Sequence, residues 1–418
     1  MKLTHIIMVI GVLALLACTE RKAISTWKDM PVVAHTEMLN GEPLTVCSLE
    51  SMTDTVSIPL SALVEELQFV KLDNREEALI GMSAVSFSDN YILSHASRNV
   101  PCKLFRKDGT YISKVGSIGQ GPGEYRNIYD AQIDEKHGRI YLLPWTTNRI
   151  LVYNLEGKYE SSIPLNLGNP GFLVPKGTFR VDADKGQVSV VLLPFNHLPV
   201  VAWVQDMEEN IIHEVPSGHL KIQPDFSNEV VAPKTTKALS FHISTFFELR
   251  KDTLYHFDTE QGKLLPRFTL DYGNTKMGPH DYFELPDHYC GSVSGIKQTS
   301  KNIYEYDATR HFIVEKATGK GSYCRIYDDY LYDREVTWVS GMNGYYYRHI
   351  EPVVLLEEIE EALSKHPSPS QARLYQYTLR TVTIRAERTL GSLRYAFGGD
   401  HPSQTTHHTL SSHSRVRF

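Results

Sequence analysis

The chain has 418 residues, of which 41% are hydrophobic and 22% are charged, so it can form one large globular domain or two ordinary ones. Its formal net charge of −6 gives no electrostatic basis for binding nucleic acid, and we predict no nucleic-acid partner. The 23 tyrosines are typical of a β-rich protein, because strands favour aromatic and β-branched residues.

The N-terminus has the pattern of a secretory signal peptide. Lys2 gives a short positive region, and an uninterrupted apolar run follows from Ile6 to Leu16. A membrane-spanning helix needs about 20 apolar residues, so this run is too short to span a bilayer. It fits the apolar part of a cleaved signal, and we predict a signal peptide over residues 1–17.

The end of this run, Leu15-Leu16-Ala17-Cys18, resembles the lipobox of bacterial lipoproteins. The resemblance implies cleavage before Cys18 and a diacylglycerol on its thiol, so that the membrane becomes a partner through the lipid anchor. The alternative is an ordinary signal peptide with a chance cysteine. We predict a lipid-anchored envelope protein on the outer membrane, with the periplasmic or surface face left open, and a tether over residues 18–55.

Four further cysteines follow, at positions 47, 102, 290 and 324. An even number in an exported chain permits disulfides, in three possible connectivities. Their spacings match no metal-binding pattern. We predict buried or free thiols rather than disulfides.

Two windows of the chain, from Asn90 and from Gly138, repeat the same pattern. Both alternate apolar and polar residues, turn at a glycine, and alternate again, as β-hairpins do. The matching positions all lie 48 residues apart: Ile92 and Ile140, Phe105 and Tyr153, Gly109 and Gly157, Tyr111 and Tyr159.

The hairpin pattern returns at near-constant spacing further along the chain. The turns fall at Gly109, Gly157, Glu209, Gly262 and Gly319. Units of about 50 residues hold four short strands each, which is the size of a propeller blade. A β-sandwich with irregular loops is the alternative, and it explains the strands but not their spacing.

Two motifs make the resemblance specific. The segment Asn148–Tyr153 is similar to the N-R-I-x-V-[FY] core of NHL-type blades, and Gly119–Tyr125 is similar to the G-x-G-P-G-E-[FY] loop of six-bladed β-propeller lipoproteins of Bacteroidetes. The resemblance implies an all-β, six-bladed propeller over residues 56–363, whose family members mostly have no assigned function. It also implies ring closure by an N-terminal strand, for which TVSIPL and LQFVKL within residues 55–72 are the candidates.

The glycine-rich loop, VGSIGQGPGEYRN from Val115, has the composition of a phosphate-binding loop but the wrong surroundings. Neither Gly-Lys-Ser/Thr nor a helix follows Gly123, as a nucleotide-binding loop requires. We predict a crossing between blades, with glycines where the backbone needs unusual dihedral angles.

Such crossings, and the loops between the second and third strands, open on one mouth of the channel. Five side chains there are predicted to share a ligand-binding surface, with folding roles as the alternative: Glu124, Tyr125, Arg126, Trp145 and Arg149.

Searching for catalytic motifs gives little. No G-x-S-x-G or H-E-x-x-H occurs, and no cofactor is predicted. The segment 278–291 contains His280 and His288 as weak metal-ligand candidates. His242 and His256 are explained as hairpin or core residues.

The C-terminal part differs from the rest. A short helix is predicted from His349, with apolar residues three and four apart, and it stops before Pro367. The predicted tail spans residues 364–418; after Lys365 it has seven arginines and no lysine, and four histidines lie near the end. This atypical tail is a metal-binding tail, a disordered segment or the product of a reading-frame change near residue 365.

The sequence therefore predicts a membrane-anchored propeller that binds a protein, peptide or glycan partner at one channel mouth without catalysis. The alternative is an NHL-like hydrolase or lyase with a metal in the channel, for which histidines and acidic residues from several blades would converge on the axis. A purely structural envelope scaffold is the third possibility.

Overall fold

The computed structural model describes residues 29–329 with short gaps, and only short stretches beyond residue 329. The gaps are residues 65–67, 69, 82–83, 96–98, 146–147, 168–175, 226, 235–237, 247–248 and 301–302. The predicted signal peptide, Cys18 and most of the predicted tail lie outside the described residues. Within the described part, no helix is long and apolar enough to cross a membrane.

The described strands are numbered along the chain. Three precede the repeats: β1 (Ala34–Leu39), β2 (Glu42–Ser48) and β3 (Thr55–Pro59). Blade 1 has β4 (Ala84–Phe87), β5 (Tyr91–His95), β6 (Cys102–Arg106) and β7 (Tyr111–Val115). Two short strands of the crossing follow: β8 (Ser117–Ile118) and β9 (Glu124–Tyr125). Blade 2 has β10 (Ile128–Asp134), β11 (Arg139–Pro144), β12 (Arg149–Asn154) and β13 (Tyr159–Pro164).

The next three blades have the same order of strands. Blade 3 has β14 (Gly177–Asp182), β15 (Gln187–Leu192), β16 (Val200–Asp206) and β17 (Ile211–Pro216). Blade 4 has β18 (Glu229–Val231), β19 (Leu239–Ser244), β20 (Thr253–Asp258) and β21 (Lys263–Asp271). Blade 5 has β22 (His280–Glu284), β23 (His288–Ser300), β24 (Ile303–Glu315) and β25 (Gly321–Asp328). Short strands follow: β26 (Arg334–Val336), β27 (Ser340–Met342), β28 (Tyr345–Tyr347) and β29 (Val416–Arg417).

These sheets form a β-propeller of five blades within the described residues, so the prediction of six blades is wrong for this part of the chain. Each blade is a run of four consecutive antiparallel strands. The five turns that the sequence predicted all connect the third and fourth strands of a blade. Each has the positive φ expected of its turn: Gly109, Gly157, Glu209, Gly262 and Gly319. Five local signals thus correspond to five blades, and the sixth was implied only by the resemblance.

Large apolar cores lie between neighbouring blades rather than inside any one sheet. One core joins blades 1 and 2 through residues such as Leu104 and Ile140, and another joins blades 2 and 3 through Ile150 and Trp203. Similar cores join blade 3 to blade 4 and blade 4 to blade 5. Because each middle strand is covered on both faces, strands such as β11 and β12 are buried almost continuously instead of alternating.

The N-terminal strands run along the outer edges of blades 4 and 5. Strand β2 pairs in parallel with β21, and β3 pairs in parallel with β25. The predicted closing segment TVSIPL therefore supplies β3, but as a strand added outside four existing ones. The second candidate, LQFVKL, forms no delimited strand in its described residues; Leu72 packs against the outside of blade 1.

The predicted C-terminal helix is not delimited as an element in the part of the chain that the structure describes. Single described positions, such as Val354 and Glu360, have helical backbone, and most of the segment lies outside the described residues. The boundaries at residues 55, 363 and 364 stay predictions.

Four cysteines, Cys47, Cys102, Cys290 and Cys324, are buried, and no disulfide joins any of them. Burial raises the pKa of the Cys324 thiol to about 12 and raises the pKa of Cys47 still further. The thiols therefore stay protonated and behave as small core residues.

Candidate functional site

The inner strands of the blades are connected by side chains that bind the backbone of the next blade. On β10, the Gln132 amide donates to Val181 O on β14 at 2.8 Å and accepts from Val181 N at 2.9 Å. The Ser86 hydroxyl on β4 donates to Ala131 O on β10 at 3.2 Å. These bonds occupy inner-strand backbone groups that would otherwise face the channel.

A cavity of about 570 Å³ opens where the inner strands of the first four blades begin. Equivalent strands of a propeller run in the same direction, so their first residues meet at one mouth of the channel. The cavity is lined there by the starting residue or residues of each inner strand: Ala84, Ile128, Gly177 and Glu229. The volume lies within the range of small-molecule sites.

One wall of the cavity contains an ion pair beside two aromatic rings. The Lys176 ammonium is paired with the Glu229 carboxylate, which also accepts a hydrogen bond from the Tyr129 hydroxyl. The same ammonium lies 6.0 Å from the ring centroid of Tyr129 and 5.9 Å from that of Trp145. Burial raises the pKa of Tyr129 above its usual value, so its hydroxyl remains a donor. Charge and aromatic surface therefore lie side by side.

A second ion pair, in which only the carboxylate of Asp130 lines the cavity, is almost fully buried. The Lys234 ammonium is 2.7 Å from each carboxylate oxygen of Asp130. Thr178 Oγ1 also donates to this carboxylate at 2.8 Å, as do the backbone N–H groups of Phe179 at 3.1 Å and Ala131 at 2.8 Å. The carboxylate is fully engaged, so its role is to join blades 2 and 3 to the segment before β19.

His95, at the end of β5, also lines the cavity. Its Nε2 is 3.0 Å from Ser86 Oγ, whose proton is directed to Ala131 O. We therefore assign the ring proton to Nε2, which leaves Nδ1 as a hydrogen-bond acceptor. Burial lowers the pKa of His95 to about 4, so the ring is neutral. Among the described residues, Nδ1 has no hydrogen-bond partner.

Two of the predicted ligand-binding residues instead hold the glycine-rich crossing together. The Glu124 carboxylate accepts from Gly121 N at 2.9 Å, Gln120 N at 3.1 Å and Ser117 Oγ at 3.3 Å. The hydrogen bond from Gly121, more than the others, lowers the pKa of Glu124. The Tyr125 hydroxyl is buried and accepts from the backbone N–H of Cys102 at 2.8 Å. These contacts support the predicted crossing between blades.

The glycines of the crossing are required by close approach. A Cβ at Gly119 would lie 2.0 Å from Glu124 Oε2, and one at Gly123, where φ is +71°, would lie 2.3 Å from Tyr159 Cγ. No side chain fits at either position without displacing its neighbour.

The other three residues of the predicted ligand-binding surface, Arg126, Trp145 and Arg149, lie apart from the interior of the glycine-rich crossing. Trp145 lines the cavity, and its backbone N–H donates to Asn127 O at 3.0 Å, which places it beside the end of the crossing. Arg126 and Arg149 are exposed, and neither lines the cavity. A ligand-binding role for all five residues stays a prediction.

The two metal candidates lie far apart. His280 is opposite Val293 in the β22–β23 pair, five positions along the strand from His288. At about 3.3 Å per residue they are roughly 17 Å apart, too far to share an ion. In the described part of the chain, no group of three or more histidine, cysteine, aspartate or glutamate residues is arranged to hold a metal.

His242 is a core residue that joins blades 4 and 5. Its Nδ1 is 3.1 Å from Asp252 Oδ2, and its Nε2 accepts from Tyr282 N at 3.1 Å. His256 is bound to the buried Glu284, which Lys316 also contacts at 2.6 Å. Both histidines therefore have structural partners.

Sequence reasoning missed most residues of the cavity. Four of them, and the lysine that pairs with one of them, lie far apart in the chain and carry no shared motif: His95, Asp130, Lys176 and Glu229 line the cavity, and Lys234 pairs with Asp130. The available signal was a charged residue at the start of an apolar strand, as Asp130 is in β10. Although acidic residues and a histidine converge here from different blades, each carboxylate is paired with a lysine.

The fold and the cavity define a β-propeller with a ligand-sized cavity at one mouth of its channel, in which a few charged groups lie among apolar ones. The chain belongs to the family described as Domain of unknown function (DUF4934), whose model matches residues 44–378. This match extends past the point near residue 365 at which the composition changes.

Among solved structures, the chain is similar to a protein from Bacteroides fragilis NCTC 9343 described as exported, with 15% identity, a TM-score of 0.49, and coverage of 74% of this chain and 90% of that one. A DUF4221 family member from Bacteroides vulgatus ATCC 8482 has 9% identity, a TM-score of 0.35, and coverage of 59% and 82%. A Bacteroides caccae protein of unknown function has 10% identity, a TM-score of 0.35, and coverage of 59% and 84%. The comparison with curated proteins gave no match.

Proposed function

We propose that this protein is a lipid-anchored component of the bacterial cell envelope that binds a protein, peptide or glycan partner in the channel-mouth cavity, without catalysing a reaction. The observation that carries the proposal is the cavity itself. It combines about 570 Å³ of volume with an ion pair and two aromatic rings, Tyr129 and Trp145. Concave sites of this size, with a few convergent polar groups, are the usual form of a binding site.

The polar groups of the cavity favour binding over catalysis. A general base or metal ligand needs a carboxylate or imidazole that is free to take a proton or an ion. Here Asp130 is paired with Lys234 and Glu229 with Lys176, and burial lowers the pKa of His95 to about 4, which makes its ring a weak base. Charges that are paired in this way suit the positioning of a ligand.

The anchor is proposed from Leu15-Leu16-Ala17-Cys18, and the outer membrane is the proposed location, with either face open. Lipid attachment is tested by metabolic labelling with radioactive glycerol. Label is expected in the wild-type chain and not in Cys18→Ala, and a labelled variant would contradict the anchor.

Binding at the mouth is tested with the full chain, extracted from membranes in detergent and applied to glycan and peptide arrays. Lys176→Ala is compared with Lys136→Ala, because both lysines form ion pairs between neighbouring blades: Lys136 pairs with Asp184 between blades 2 and 3, and Lys176 pairs with Glu229 between blades 3 and 4. Lys136 lies in the turn after β10, at the strand's other end from the cavity. We expect binding to be lost only in Lys176→Ala, and equal effects of the two changes would contradict binding at this mouth.

A further inference from the structure

The chemistry of the cavity narrows the class of ligand, on the basis of the proposed function. The cavity is lined by residues at the starts of four inner strands and has the volume of a small-molecule site. A folded protein cannot enter it, whereas the end of a chain can. The choice is therefore among a charged group, an extended peptide and a sugar ring.

The charges around the cavity cancel. Two cations, Lys176 and Lys234, are matched by two anions, Glu229 and Asp130, and each cation is already paired with an anion. An anionic ligand would compete with Glu229 for the Lys176 ammonium, and a cationic ligand would compete with the ammonium for Glu229. An uncharged ligand with hydroxyl groups avoids this competition, because it accepts from the ammonium and donates to the carboxylate at the same time.

An extended peptide lacks the backbone edge it would need. Peptides that join a sheet bind through free N–H and C=O groups of an edge strand. Along the inner strands, Gln132 occupies both backbone groups of Val181, Asp130 occupies Phe179 N, and Ser86 occupies Ala131 O. Strand addition is therefore blocked on β10 and β14.

The remaining features suit a sugar ring. Tyr129 and Trp145 supply aromatic surface beside the ion pair, against which the C–H face of a pyranose packs. His95, which also lines the cavity, has a ring nitrogen that accepts hydrogen bonds and has no partner within the described residues. A sugar hydroxyl is the complementary donor.

We propose that the cavity binds one uncharged sugar ring at the end of a glycan, with its apolar face toward Trp145 and its hydroxyls on Lys176 and Glu229. Hydrogen bonds from sugar hydroxyls to charged side chains are stronger than bonds to neutral groups. The sugar must itself be uncharged, because a charged substituent would disturb the Lys176–Glu229 pair.

The test detects binding of methyl glycosides to the full chain in detergent by saturation-transfer NMR, and it measures their dissociation constants. The probes are methyl glycosides of glucose, galactose and mannose, with methyl glucuronide and methyl glucosaminide as the charged counterparts. We expect at least one neutral glycoside to bind about tenfold more tightly than its charged counterparts.

The decisive variant is Glu229→Gln, with Glu260→Gln as its matched control. Glu260 is paired with Lys185 in an exposed contact between turns, away from the cavity. Because Glu229→Gln leaves the Lys176 charge unmatched, it is expected to shift preference toward the glucuronide by about tenfold. Glu260→Gln should keep the wild-type order, and circular dichroism reports whether each variant is folded.

The outcomes separate this inference from the proposed function. A wild-type preference for a charged glycoside or an array peptide, still lost in Lys176→Ala, overturns the sugar inference and leaves binding at the mouth intact. Binding that is unaffected by both Lys176→Ala and Glu229→Gln overturns both. Absence of a signal from all neutral glycosides at tens of millimolar also overturns the sugar inference.

Discussion

The glycine-rich crossing and the channel-mouth cavity lie next to each other but differ in how their polar groups are used. In the crossing, a single carboxylate, Glu124, binds three groups within seven residues of itself. In the cavity, Lys176 and Glu229 come from different blades and meet only in the folded ring. The crossing is thus a local structure with a visible motif, and the cavity is a long-range structure with none. A conspicuous motif can therefore mark a structural joint while the site lies beside it.

The largest effect is expected at the buried pair of the cavity. Asp130→Ala leaves the Lys234 ammonium buried without its anion and should lower the free energy of unfolding by about 3–5 kcal/mol. Urea denaturation followed by circular dichroism measures the change. The double variant Asp130→Leu/Lys234→Met should recover much of the loss, because it removes both charges together. Asp184→Ala removes an exposed carboxylate and serves as the control. If Asp130→Ala lowers the free energy of unfolding no more than this control does, the buried pair does not hold the distant segments of the cavity together.

The pH dependence of stability should carry the signature of His95. Burial lowers its pKa from 6.5 to about 4. The positive charge of Lys234 also lowers this pKa, whereas the negative charge of Asp130 raises it. Between these values the unfolded chain binds a proton that the folded protein does not, so stability falls as pH falls from 6.5 to 4. This contribution is on the order of 3 kcal/mol. The free energy of unfolding, measured at several pH values across this range, should depend less steeply on pH in His95→Gln than in the wild type. The same slope in both proteins would refute the lowered pKa of His95.

The smallest of the three effects is expected in the crossing. Gly123→Ala places a Cβ 2.3 Å from Tyr159 Cγ, whereas Gly138→Ala, at a similar positive φ, meets nothing within 4 Å. Both variants have the strain of positive φ, and their difference reports crowding alone. We expect Gly123→Ala to be less stable by roughly 1–3 kcal/mol in denaturant unfolding. Equal losses would show that Tyr159 moves aside and that the crossing is looser than the cavity.

Sequence reasoning succeeded where the determinants are local. A turn between adjacent strands needs a residue that tolerates positive φ, and such residues are visible one at a time, as at Gly157 and Gly262. For the predicted sixth blade, the sequence showed no such turn residue. The cavity was missed because Asp130, Lys176 and Glu229 each look like ordinary surface charges in the sequence. Only closure of the sheets around a common axis brings them together.

Strands β2 and β3 have a consequence for the order of biosynthesis. Thr45 pairs with Phe268, and Val56 pairs with Cys324, so the first strands to leave the ribosome bind to some of the last. Blades 1 to 3 can form early. Strand β2 cannot join blade 4 before β21 is present, and β3 cannot join blade 5 before β25, which ends at residue 328, is present. Until then β2 can pair with its hairpin partner β1, but its other edge and both edges of β3 are open to other chains. The partners lie more than two hundred residues apart in the sequence, so we expect these pairings to form late in folding.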